Sequence, residues 1–374
     1  MPFTIAWDAS AAAKRERTGV ARAAIALIDA ILALDRDDEF VLGVRLSRLR
    51  RGRFAHRPAA SNARVRWFTD ALLPLLGSID LFHGLDARVP RRGTFKKIVT
   101  LHDLGPVEDA EIAAPGFREK KRRAYAEIAE CADRVICVSS ATRDRFRALH
   151  PLPEDRYAVI HHGVDAHFTP CLTSDIDAAR ARFALGPRYL LFVGLVSARK
   201  NVVTLVRAFD RLADTEPDLV LALAGGDAHG SEEVDATIAA ARHRDRVRRL
   251  GFVADDDLPA LYSGAAAFVS PGLVEGFGMP LLEAMACGAP VVAADLPVTR
   301  EVAGDAALAV DCREPEPLTA ALDRLLNDRP FTAKLIDRGA AHARKFSWEA
   351  AARATLDVYR EALEPARPGR ESSR

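Results

Sequence analysis

Two doubly wound α/β domains are predicted for this chain, and three observations predict them. Short apolar runs rich in β-branched and aromatic residues alternate with amphipathic stretches along its whole length. Continuous apolar strands separated by helices imply parallel sheet covered on both faces. The 374 residues exceed what one ordinary core supports, so two domains of roughly 150–200 residues are expected. Near the middle the alternation is interrupted by a turn-rich segment, His162-Gly163-Val164-Asp165-Ala166-His167-Phe168-Thr169-Pro170. This places a boundary between a first domain, 1–169, and a second, 170–346.

In the first domain the strand-like runs are Thr4–Trp7, Phe40–Val44, Val65–Phe68, Ile79–His83, Lys97–Leu101 and Arg134–Ser139, and the unit closes near Tyr157–His161. Its helix-like stretches are Val20–Leu34, Arg118–Cys131 and Ala141–Leu149. The second alternation starts at Tyr189–Val193 and runs through helix 200–213, strand 218–224, helix 231–243, strand 247–250 and helix 257–264. Strand 266–269, helix 280–287, strand 290–293 and helices near 315–327 and 331–344 complete it. Two such units joined by a short linker place a ligand between them, at the carboxyl ends of the strands. A last helix, 347–364, opens on Ser347 and carries Trp348, Leu356, Tyr359 and Leu363 on one side. Residues 365–374 are polar and read as a disordered tail.

Apolar content of 49% and charged content of 28% are those of a globular protein. Met1-Pro2-Phe3-Thr4-Ile5 reads directly into a strand, without a basic leader, and no apolar run reaches the ~18 residues that span a bilayer. The five cysteines show no C-x-x-C pair and read as reduced thiols in a cytoplasmic protein. Net charge is +1 but unevenly spread: residues 1–170 hold 28 Lys/Arg against 22 Asp/Glu, and the remainder 25 against 30. The first domain is therefore the one suited to an anionic partner.

The richest chemistry lies in Gly272-Leu273-Val274-Glu275-Gly276-Phe277-Gly278-Met279-Pro280-Leu281-Leu282-Glu283-Ala284-Met285. Two glutamates stand eight residues apart around a glycine-rich turn, and Pro280 suits the first position of a helix. The N–H groups of Gly278, Met279 and Leu281 are expected to converge on an anion. A phosphate cradle flanked by two carboxylates suits a ligand that is both phosphorylated and rich in hydroxyls, such as a sugar nucleotide.

Further segments occur with that stretch in a fixed order: Val193-Gly194-Leu195-Val196-Ser197-Ala198-Arg199-Lys200-Asn201, Ala224-Gly225-Gly226, Gly288-Ala289-Pro290-Val291-Val292 and Phe346-Ser347-Trp348-Glu349. Together they resemble the family 4 retaining glycosyltransferases of the GT-B fold, most specifically from 189 to 304. The resemblance implies that Arg199 and Lys200 hold the donor diphosphate, with Leu195 standing where many relatives carry an arginine. It implies that Glu275 faces the donor-sugar hydroxyls and Glu283 the nucleotide ribose. The backbone of Gly276, Phe277, Gly278, Met279, Pro280 and Leu281 would line the phosphates, and Phe252 and Val253 would bracket the base. In the first domain it implies that His102 reaches the donor sugar, that Gly19 belongs to a loop over the diphosphate, and that the last helix, 347–364, returns to pack on this domain. Asp103 is placed either to orient the His102 ring or to cap the next turn.

The activity implied by the resemblance is transfer of a hexose, mannose-like, from a nucleotide diphosphate sugar to a hydroxyl of a saccharide or lipid-linked saccharide, by front-face displacement and with retention. No cofactor and no metal are expected. Asp255-Asp256-Asp257 reads as a helix cap rather than a metal ligand set, and His161, His162 and His167 lack a fourth ligand at zinc spacing. The basic stretches Arg45–Arg53 and Arg118–Arg123 read as solvated faces or as peripheral contacts with anionic lipid. They lack the interleaved aromatics of a nucleic-acid surface. A GT-B-type epimerase or phosphorylase and a non-catalytic GT-B subunit stand as alternatives. A dinucleotide-dependent dehydrogenase is disfavoured, since no strand leads into Gly-x-Gly-x-x-Gly. Sugar, base, acceptor and oligomeric state stay open at this point.

Overall fold

The computed structural model describes residues 2–13, 18–48, 56–71, 73–108, 113 and 115–364. The tail 365–374 and most of the basic run Arg45–Arg53 lie outside the described residues. The chain divides into two compact bodies. The first takes the described residues of Met1–His102, Lys121–Gly163 and Trp348–Arg374; the second takes those of Asp103–Lys120 and Val164–Ser347.

In the first body the strands β1 (Thr4–Asp8), β2 (Glu39–Arg45), β3 (Ala63–Phe68), β4 (Leu81–Gly84), β5 (Lys96–Leu101), β6 (Arg134–Cys137) and β7 (Tyr157–Val159) pair in the order β3-β2-β1-β4-β5-β6-β7. Every pairing is parallel. Its core packs Trp7 on Phe40, ring centroids 4.6 Å apart, under the helices Gly19–Leu34 and Trp348–Leu363. The last helix buries Leu356, Tyr359 and Ala362 in that core. A buried polar chain fixes it there: the Trp7 indole N–H donates to the Tyr359 hydroxyl at 2.9 Å, and that hydroxyl lies 2.6 Å from His83 Nδ1. His83 Nε2 lies 2.8 Å from Thr100 Oγ1. A hydroxyl that accepts from Trp7 donates onward, so His83 is the neutral Nε2–H tautomer. Burial pushes its pKa down to about 3, consistent with that form.

The second body holds β8 (Arg188–Val193), β9 (Leu219–Ala224), β10 (Val247–Gly251), β11 (Ala267–Ser270), β12 (Val291–Ala294) and β13 (Leu308–Val310) in the order β10-β9-β8-β11-β12-β13, again all parallel. β9 is buried at all six positions and β12 at all four, as a strand covered on both faces requires. The helix Val202–Leu212 lays Val202, Leu205, Val206, Phe209 and Leu212 on this sheet.

Three elements of this body are not expected from the sequence: a helix, Thr173–Arg182, before β8, another, Pro297–Ala303, after β12, and the strand β13 itself. Asp255–Asp257 is a 3-10 turn running into the helix Leu258–Ser263. The Asp257 carboxylate pairs with Arg182 at 2.6 Å and makes no side-chain cap bond. All five cysteines are free thiols, and among the described residues no helix is long and apolar enough to cross a membrane.

Candidate active site

The order of the second sheet reverses between β8 and β11. In open parallel sheets, ligands bind beyond the carboxyl ends of the strands at such a point. The loops leaving those two strands are 194–201 and 271–278. The end of β9 closes tightly against the first of them: a Cβ on Gly225 would come within 1.8 Å of the Gly194 carbonyl, and its φ is +144°. Only glycine fits there.

The basic pair sits on a turn ahead of the helix. Ala198–Lys200 form a 3-10 turn, Asn201 is left-handed (φ 51°, ψ 39°), and the helix begins at Val202. The expected helix start at 200 is therefore two residues early. The turn is closed by Lys200 N–H donating to Ser197 (3.1 Å) and Asn201 N–H donating to Ala198 (2.9 Å). Asparagine tolerates the left-handed region because its short side chain finds local hydrogen bonds.

From this turn Arg199 donates to the Val274 carbonyl at 2.9 Å and lies 3.2 Å from Asp103 and 3.5 Å from Glu275. Lys200 Nζ pairs directly with Glu275 Oε1. The cluster is mostly shielded, with side-chain exposures of 22% for Arg199, 13% for Lys200 and 12% for Glu275. Burial opposes the Arg199 charge, and Glu275 with Asp103 outweighs it, so the guanidinium is held above its usual range. Burial pulls the Lys200 ammonium below its ordinary value; Arg199 adds to this and Glu275 only partly offsets it. Burial alone would raise the Glu275 carboxyl, but Lys200 and Arg199 hold it below the usual carboxylate range. The resting cluster is thus a shared carboxylate crowded by two cations.

Beyond Glu275 the chain turns through Gly278 (φ +91°) into the helix Met279–Ala286, so Pro280 is its second residue. The expectation of three convergent N–H groups is corrected at one of them: Leu281 N–H donates to the Gly278 carbonyl at 3.0 Å. That bond closes the first turn of the helix, leaving Gly278 and Met279 as candidate anion donors. Phe277 is 4% exposed and packs edge-on against Phe346, centroids 6.2 Å apart. Glu283, 3% exposed, accepts from the Tyr262 hydroxyl at 2.9 Å. Phe252 follows β10 and is exposed, whereas its neighbour Val253 is buried.

In the first body His102 follows β5 directly. Its Nε2 lies 2.8 Å from the Leu85 carbonyl and its Nδ1 lies 3.2 Å from His162 Nε2, with the two rings stacked at 5.2 Å. A carbonyl only accepts, so the neutral His102 ring carries its proton on Nε2 and takes a bond from His162 on Nδ1. Burial holds His162 well below its ordinary pKa, in keeping with a neutral donor. Asp103, the first residue of the second body, caps the next turn, accepting from Gly105 N–H at 2.8 Å, and pairs with Arg199 of the same body. Gly19 is the first residue of the helix Gly19–Leu34.

The structure thus gathers Arg199, Lys200 and Glu275 into one cluster. It also gives roles to Asp103 and Asn201 in the second body and, separately, to His162 in the first, whose partners lie 60 or more residues away in the chain (Asp103 to Arg199, Asn201 to Pro271, His162 to His102) and left no local signal. Among the described residues no group of three or more His, Cys, Asp or Glu could hold a metal ion.

Two family models match the chain: glycosyl transferases group 1 over residues 174–342 and glycosyltransferase family 4 over residues 21–168. The chain is 29% identical to the O-antigen chain mannosyltransferase B of Escherichia coli, covering 75% of this chain and 74% of that one. It is 32% identical to a D-inositol 3-phosphate glycosyltransferase of Frankia alni, covering 74% of this chain and 71% of that protein. A protein of the same description from Salinispora tropica is 35% identical, and the chain spans 58% of its length. Among solved structures, Anabaena HepE in complex with UDP-glucose superposes with a TM-score of 0.74 at 20% identity, over 96% of this chain and 100% of that one. At that identity the likeness speaks for the fold alone. Two parallel α/β bodies, the matched models and the relatives agree: the chain belongs to the group 1, family 4 glycosyltransferases and has the GT-B fold.

Proposed function

We propose that this glycosyltransferase moves a hexose from a nucleotide diphosphate sugar to a hydroxyl of a saccharide or lipid-linked saccharide, with retention and without a metal ion. The observation that carries the reading is the shielded Lys200–Glu275–Arg199 cluster at the switch point of the second sheet. Preorganised cations in a shielded site stabilise charge that develops on a leaving group far better than the same cations in water. A donor diphosphate arriving there competes with Glu275 for Lys200 and frees the carboxylate to accept from vicinal sugar hydroxyls. Glu283 then takes the ribose, exchanging or sharing its bond to Tyr262. The Gly278 and Met279 N–H groups and the backbone of Gly276, Phe277, Pro280 and Leu281 line the phosphates, and Phe252 and Val253 bracket the base.

In the reaction the bond from the anomeric carbon to the phosphate oxygen breaks, and its electron pair leaves with the diphosphate. The acceptor oxygen bonds the same face of that carbon and passes its proton to the departing phosphate. Lys200 and Arg199 offset the charge left on the diphosphate. In the first body, His102 can exchange one of its two ring bonds for a sugar hydroxyl, and Gly19 is assigned to a diphosphate loop.

The mannosyltransferase relative from Escherichia coli supports mannose as the sugar, in polysaccharide or glycolipid assembly on the cytoplasmic side. The basic helix segment Arg118–Arg123, exposed at Lys120, Arg122 and Arg123, is the proposed contact with anionic lipid.

The test is direct. With donor and acceptor together, nucleoside diphosphate is released and the product keeps the donor's anomeric configuration by NMR, in the presence of a chelator. Inverted product, or activity lost to chelator and restored by a divalent cation, contradicts the retaining, metal-free reading. Nucleotide release without acceptor points to an epimerase or hydrolase.

A further inference from the structure

We infer that Asn201 is a positioning residue of the donor site, clamping the turn that carries Arg199 and Lys200 to the loop that carries Glu275. The inference rests on the proposed donor site. Asn201 follows Lys200 directly and holds a left-handed backbone. Its amide nitrogen donates to two carbonyls, Cys312 at 2.7 Å and Pro271 at 3.2 Å, while its amide oxygen accepts from Thr204 Oγ1 at 2.7 Å. Cys312 follows β13 and Pro271 follows β11, so one side chain ties the loop after β8 to the ends of two other strands.

The position of this clamp gives it a function. Pro271 opens the loop that reaches Glu275 four residues on. The turn and the loop are joined twice by side chain to backbone, at Asn201–Pro271 and at Arg199–Val274. Lys200 lies between the two donors, and its partner Glu275 follows Val274 directly. Asparagine is also a preferred helix N-cap, yet here it forms no side-chain cap bond to its own helix. Its amide oxygen takes the Thr204 hydroxyl in place of a backbone N–H, and its amide hydrogens go to the neighbouring loops. No other residue type offers a left-handed backbone at low cost together with two donors and an acceptor on so short a side chain. The effect of Asn201 on the ligand passes through Lys200, whose backbone it holds in register with Glu275.

A thermodynamic cycle on the full chain tests this. UDP and GDP are titrated calorimetrically into the parent, Asn201→Gly, Lys200→Ala and the double variant. Glycine keeps the left-handed backbone and removes only the clamp. For whichever nucleoside diphosphate the parent binds more tightly, Asn201→Gly is expected to weaken binding about tenfold, the scale of one charge-assisted hydrogen bond. In the Lys200→Ala background the same change is expected to cost less than about twofold, because coupled residues are non-additive. A merely structural role would show equal losses in both backgrounds, and that result, or parental affinity in Asn201→Gly, overturns the inference. If Asn201→Gly fails to fold, Asn201→Asp runs the same cycle, since it accepts the same backbone but faces two carbonyls with oxygen. A parent that binds neither nucleotide overturns the donor-site reading itself, and the inference with it.

Discussion

Glu275 is the carboxylate that Lys200 and Arg199 share. Its carboxyl is held below the usual range by Lys200 and Arg199 against the opposing pull of burial. A depressed carboxyl contributes stability that is present above its ordinary value of 4.5 and is lost as pH falls through the folded value. Lys200 acts in the other window. Its folded value is lowered, so the unfolded chain binds more protons there and stability rises with pH up to the ordinary 10.5. Acid unfolding followed by circular dichroism should therefore show a destabilising limb below about pH 4.5 that flattens in Glu275→Gln. An unchanged limb in that variant would mean Glu275 carries no such linkage. At this scale the sequence named Arg199, Lys200 and Glu275, because motif order and residue type are local. It named Asp103 as a candidate turn cap, the bond from Gly105 that the structure shows. It could not name the pairing of Asp103 with Arg199, nor Asn201 or His162 in their observed roles, because each of these acts on a group brought in by the fold. His162 reads from the sequence only as a poor zinc ligand, yet in the structure it stacks on His102 and holds its Nδ1.

Element by element, the chain is legible wherever an apolar period is long or continuous. The β9 strand, buried throughout, and the helix Val202–Leu212, with seven buried residues, are both expected from the sequence within about two residues. The helix Thr173–Arg182 buries only Ala179, so it has no apolar stripe to read. The β13 strand has three residues, all half-buried, which is too short for a period. Turns carry the rest. Gly225 is where β9 must pass the Gly194 carbonyl, and Gly225→Ala puts a Cβ 1.8 Å from that oxygen at φ +144°. This variant is expected to lose about 1–3 kcal/mol of stability and to bind donor more weakly, as read by urea unfolding and calorimetry. Parental stability would mean the β8 and β9 loops yield freely.

For the whole molecule, the alternation of strands and helices indicated two parallel α/β units, and the family resemblance implied a final helix belonging to the first. It did not show how that helix is held, through a buried Trp7–Tyr359–His83–Thr100 chain assembled from residues 7, 83, 100 and 359. Tyr359→Phe strands the Trp7 donor and the His83 acceptor, and should cost about 2–4 kcal/mol, from two unsatisfied buried groups. A melting temperature equal to the parent's would show the chain to be dispensable. The family membership makes the chain a glycosyltransferase, and the Lys200–Glu275–Arg199 cluster is its proposed donor site. The most direct measurement is the affinity of the full chain and of Lys200→Ala for the nucleotide diphosphate sugar, by calorimetry at one salt concentration. Loss of a charge-assisted contact of about 1.5–3 kcal/mol predicts binding weaker by roughly tenfold to a hundredfold in the variant, with the fold intact. Equal affinity in the two proteins would contradict the proposed donor site.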